Sequence, residues 1–137
     1  MKKYIYIFLI ILVLLEVIFL GYPNKSKQNN DSKKIKVQNS EEVISVRVRE
    51  ETEGGYVYYK TEDKELIEKI INAINNIKIE EKTDISFSDN GKTYILELSD
   101  GTTQEYYFQG SYYCKDKINY KISNYNELNK IEIPKEV

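Results

Sequence analysis

Histidine is absent from the 137 residues, and cysteine occurs once, at Cys114. Without an imidazole there is neither a Ser–His–Asp nor a Cys–His arrangement, so the familiar nucleophilic routes of proteases and transpeptidases are closed. One thiolate and no imidazole also exclude zinc in its usual sites. A lone thiol cannot close an intramolecular disulfide, so packing must hold the fold. No glycine-rich phosphate loop is present. Asp84, Asp89, Asn90 and Asp100 fall in neighbouring turns, but no twelve-residue calcium loop connects them, and turn chemistry accounts for all four. No catalytic residue, cofactor site or metal site is therefore expected. Paired carboxylates acting as a small hydrolase stay as a third reading, since such enzymes need a deep cleft that a small domain rarely builds.

A balanced net charge of −2 conceals a lopsided chain. Of 20 Lys and Arg and 22 Asp and Glu, seven lysines and two acids lie in residues 1–40, which leaves 13 and 20 in residues 41–137. A domain with that acidic excess repels phosphate backbones, so nucleic acid is not an expected partner.

What the chain does have is a long apolar run. Residues 4–20 follow Met1-Lys2-Lys3 and are apolar except for Glu16. As a helix they span about 26 Å at ~1.5 Å per residue, a little short of a ~30 Å hydrocarbon core. The run ends Phe19-Leu20-Gly21-Tyr22-Pro23, with neither the small residues of a cleavage site nor a lipobox cysteine. An uncleaved signal-anchor over residues 1–22 is expected, with Tyr4, Tyr6 and Tyr22 near the interfaces. The larger count of lysines downstream would by itself favour a cytoplasmic C-terminus, but the export-signal layout favours an extracytoplasmic C-terminal domain. Glu16 either snorkels or makes a contact between membrane helices, in which case the protein acts as an assembly subunit of a membrane complex.

Residues 23–40 are rich in Asn, Ser, Lys and Gln and are expected to be a solvated linker, whose lysines could also lie along an anionic surface. From residue 41 the pattern has period two. Ile44, Val46 and Val48 alternate with Ser45, Arg47 and Arg49, which predicts a strand; Glu53-Gly54-Gly55 turns it, and Tyr56 to Tyr59 returns. Thr61 or Asp63 caps a helix whose Ile67, Ile70, Ile71 and Ile74 form one stripe, with Lys69 outside it. Short strands follow around Ile85 and Phe87, Thr93 to Leu98, Gln104 to Gln109, Tyr112 to Lys115 and Ile118 to Ile122, punctuated by Asn90-Gly91 and Asp100-Gly101. A last helical turn is expected over Asn124 to Lys130. The expected fold over 41–137 is α+β: an antiparallel sheet of about five to six strands with one long amphipathic helix on one face.

Ten of the 13 tyrosines lie beyond residue 41, several as adjacent pairs. Neighbours in a strand face opposite sides, so each pair sends one ring inward and one outward. Tyr94, Tyr106 and Phe108 are expected inward. Tyr107 and one of Tyr112 or Tyr113 are expected outward, as candidate partner contacts. The plainer alternative is that tyrosine is simply a good strand former. Cys114 reads as a small residue filling a strand, or as a thiol activated by Lys115.

Asp63-Lys64-Glu65-Leu66-Ile67 opening the helix, Tyr94-Ile95-Leu96-Glu97-Leu98-Ser99-Asp100-Gly101, and Tyr120-Lys121-Ile122 together resemble the small extracytoplasmic domains of membrane-anchored proteins in low-GC Gram-positive bacteria, over residues 42–132. The missing lipobox cysteine is a departure, and no catalytic residue is implied. The expected function is a non-enzymatic, membrane-anchored domain that binds a protein, peptide or wall ligand.

Overall fold

The computed structural model describes Tyr4, Ile7 and residues 33–84 and 90–136. The rest of the expected membrane segment, Glu16 within it, most of the linker and the strand expected at Ile85 and Phe87 lie outside those residues. Among the described residues no helix is long and apolar enough to cross a membrane.

Strand β1 (Val43–Thr52) follows a 3₁₀ turn at Ser40–Glu42 and pairs with β2 (Gly55–Thr61) through a tight hairpin in which Thr52 faces Gly55. Gly55 has φ of 120°, a conformation that glycine alone enters without strain. Helix α1 (Lys64–Asn75) comes next. Asp63 caps it by accepting from the Glu65 amide at 3.2 Å, and Thr61 Oγ1 in turn accepts from the Asp63 amide at 3.1 Å. Then come β3 (Lys78–Thr83), β4 (Lys92–Leu98), β5 (Thr103–Gln109), β6 (Tyr112–Lys115), β7 (Ile118–Ser123) and a short helix α2 (Tyr125–Asn129). The Asp100-Gly101 turn is tied by Asp100 Oδ1, which accepts from the Thr102 amide and hydroxyl at 2.9 and 2.6 Å. Those bonds hold the Asp100 carboxyl below its ordinary pKa, the hydroxyl contributing most.

Among the described residues seven strands form one antiparallel sheet in the order β2-β1-β4-β5-β6-β7-β3. Two expectations are corrected here. The sheet has seven strands among the described residues rather than five to six, because Lys78–Thr83 pairs with β7 although Ile79 is its only apolar residue. With one helix of 12 residues against that sheet, the fold is mostly β rather than α+β with a long helix.

The inner face packs Val46, Val48, Tyr94, Leu96, Tyr106, Phe108, Tyr113 and Ile122 against Ile67, Ile70, Ile71 and Ile74 of α1 and Leu128 of α2. The isoleucine stripe thus faces inward as its spacing predicts, and Lys69 is exposed. Ile44 departs from the expected alternation and is 50% exposed. The β1–β4 register shifts between Val43 and Ser45, so Val43 takes the inward position and Ser45 is buried on the other side, donating to Glu97 Oε2 at 3.0 Å.

Packing carries the folded unit back to Lys34, into the segment expected to be linker. Ile35 and Val37 are buried, the Ile35 amide donates to Ile77 O at 3.0 Å, and Lys34 bridges to Lys78. At the opposite edge Lys135 bridges to Tyr59. Both edges of the sheet are therefore partly covered by terminal segments, which blunts edge-to-edge association.

Candidate functional site

α1 and α2 both pack into the inner cluster, and among the described residues no helix packs on the other sheet face. The register across β2, β1, β4, β5 and β6 sets Tyr58 opposite Arg49, Arg49 opposite Thr93, Thr93 opposite Tyr107 and Tyr107 opposite Cys114. The adjacent row runs Lys60, Arg47, Ile95, Glu105. One strip of this face therefore concentrates arginine and tyrosine.

The arginines are stacked on rings. Arg47 Cζ lies 4.5 Å from the Tyr58 ring centroid and Arg49 Cζ lies 5.4 Å from that of Tyr56. Each contact is a cross-strand diagonal of the same sense, which the twist of the β1–β2 hairpin favours. Tyr56 and Tyr58 are themselves 6.4 Å apart. A guanidinium lying on a ring keeps its in-plane N–H groups turned sideways, the geometry that binds a carboxylate or phosphate. Arg47 uses its Nε this way, 3.0 Å from Glu136 Oε2. Arg49 Nε is buried with no acceptor among the described residues.

Tyr107 is half-buried on the same face, and a Cβ at Gly91 would collide with its hydroxyl. Only glycine there leaves room for the Tyr107 ring. Burial raises its pKa most, Glu51, Cys114 and Tyr56 add to the rise, and Arg49 opposes it. The phenol is thus a neutral hydrogen-bonding group electrostatically coupled to the Arg–Tyr strip.

Of the expected contact residues, Tyr107 and Tyr112 lie on the outer face and are half-buried. Tyr113 does not join them. Its pairing with Phe108 turns it inward to 4% exposure, stacked on Phe108 at 5.2 Å and Tyr106 at 6.4 Å. Burial, followed by the neighbouring Tyr106 and Asp116, pushes its pKa up to about 12. Cys114 is half-buried opposite Tyr107. Glu16 lies outside the described residues.

Sequence reasoning passed over Arg47, Arg49, Tyr56 and Tyr58 as a site. The signal was present as two arginines at i, i+2 on one arm of a hairpin and two tyrosines at i, i+2 on the other. Among the described residues no group of three or more His, Cys, Asp or Glu is placed to hold a metal. Comparison with family models, curated proteins and solved structures gave no match for this chain.

Proposed function

We propose that this protein is a non-enzymatic binding domain, held on the outer side of a membrane by residues 4–20, whose outer sheet face takes a protein, peptide or wall ligand. The observation that carries this reading is the pair of guanidinium-on-ring contacts at Arg47–Tyr58 and Arg49–Tyr56, with Tyr107 on the same face. Tyrosine and arginine are the residues that concentrate binding energy at interfaces. Tyr56, at 58% exposed, presents apolar area that the fold itself does not use. The membrane address rests on the apolar run after Met1-Lys2-Lys3 and on the likeness to anchored extracytoplasmic domains.

The test is quantitative capture from solubilised envelope with the full chain, wild type against Arg49→Ala and Tyr107→Ser. Species retained by the wild type and depleted about tenfold or more by either variant are the expected result, one hot-spot truncation costing ~2 kcal/mol. Identical captured sets, or none with any version, would contradict the reading. Protease accessibility of a tagged C-terminus in intact cells checks the address, and cleavage only after permeabilisation would reverse it.

A further inference from the structure

We propose that the outer edge of β2 is a docking edge for an extended peptide with acidic residues at alternate positions, and that Pro134–Glu136 occupy it as the chain's own stand-in. The proposal names a ligand class for the Arg–Tyr face and rests on that reading.

β2 ends the sheet, so its edge away from β1 offers main-chain groups. The tail takes some of them. The Lys60 amide donates to Pro134 O at 3.0 Å, and the Glu136 amide donates to Tyr58 O at 2.8 Å, with Lys135 opposite Tyr59. Alternation then turns Glu136 toward the outer face beside Tyr58, where its carboxylate meets Arg47 Nε at 3.0 Å. This is strand addition: main-chain bonds hold the segment, and an alternate side chain is read by a pocket or a charge.

The tail is a weak occupant. Pro134 has no N–H and can return no bond to β2. The Arg47–Glu136 pair is open to solvent, with side chains 46% and 33% exposed. Next to the pair is an open space of about 470 Å³ bounded by Arg47, Tyr56, Val57, Tyr58, Lys135 and Glu136. A peptide in the same register that ran on would place its next outward side chain opposite Tyr56. There Arg49 repeats the guanidinium-on-ring arrangement, and its buried Nε has no acceptor among the described residues. The spacing of the two arginines thus specifies two carboxylates at i, i+2.

The probe is a fluorescein-labelled peptide of residues 131–137 with one glutamate added after Val137, titrated by anisotropy. The full solubilised chain is compared with one lacking residues 134–137, whose fold is checked by circular dichroism. The shortened chain should bind, and the intact chain should bind about tenfold more weakly, because a tethered competitor acts at high effective concentration. In the shortened chain Arg47→Ala should weaken binding roughly fivefold, the scale of an exposed ion pair, and Arg49→Ala about tenfold, the scale of a hot-spot truncation. Equal binding by both chains, or indifference to both arginines, overturns the proposal. Should the shortened chain unfold, Glu136→Lys in the intact chain decides: tighter binding than wild type supports the stand-in role, and no gain overturns it. Envelope capture that depends on Tyr107 without peptide binding would remove this inference and leave the face reading standing. Capture indifferent to both Arg49→Ala and Tyr107→Ser, together with peptide binding indifferent to both arginines, removes both.

Discussion

Tyr94, Tyr113 and Tyr125 carry phenols that the core keeps protonated. Tyr125 is pushed up to about 12, mainly by burial and opposed by its hydrogen bond with Tyr94, while burial raises Tyr94 further. Each folded-state value lies above the ordinary value near 10, so the unfolded chain loses these protons first as pH rises. The stability they contribute is intact below pH ~10 and is lost as pH climbs toward 12. Alkaline unfolding followed by circular dichroism should fall in that window, and Tyr113→Phe should move its midpoint upward. A midpoint unchanged by that substitution would mean that Tyr113 does not carry the effect. At this scale the adjacent tyrosines were half legible. Phe108 settles the Tyr106–Tyr107 pair, because a phenylalanine two residues on fixes which side is apolar. Tyr112–Tyr113 has no such neighbour in a four-residue strand, and only the Phe108–Tyr113 register assigns it.

Elements with strong periodicity were legible and those without it were not. The stripe of α1 predicted its buried side, and Ile70 is fully buried while Lys69 is exposed. Ile70→Ala should therefore destabilise the protein by roughly 2–5 kcal/mol, and Lys69→Ala by much less. Chemical denaturation measures both, and equal losses would contradict the helix phase. β3 escaped notice because Lys-Ile-Glu-Glu-Lys-Thr carries almost no apolar signal; it is an edge strand held by main-chain pairing to β7, and such pairing leaves no mark on side-chain pattern. The hairpin between β6 and β7, by contrast, was expected from its two strands, although Asp116 and Lys117 turn the chain at φ of 53° and 65° without a glycine. The bulge at Ile44, like β3, escaped notice: alternation by itself cannot reveal an inserted residue.

At the scale of the whole molecule, a sheet with helices on one side must leave its other side to something else. Polar alternation usually fills such a face with unrelated charges. Here the β1–β2 hairpin fills it with a repeated unit, guanidinium on phenol ring, next to a tyrosine seated over Gly91. That repetition was written in the sequence as Arg47, Arg49, Tyr56 and Tyr58, but its meaning depends on the diagonal offset between strands, which only the register supplies. Tyr107 was found in advance because parity alone sufficed. Site-specific photo-crosslinking in cells carrying the full chain tests the central claim most directly, with the crosslinker placed at position 56 on the Arg–Tyr strip or at position 69 on the exposed side of α1. The account predicts a discrete adduct from position 56 that is absent from position 69 and lost when Arg49 is changed to alanine. Equal adducts from both positions, or none from position 56, would contradict it.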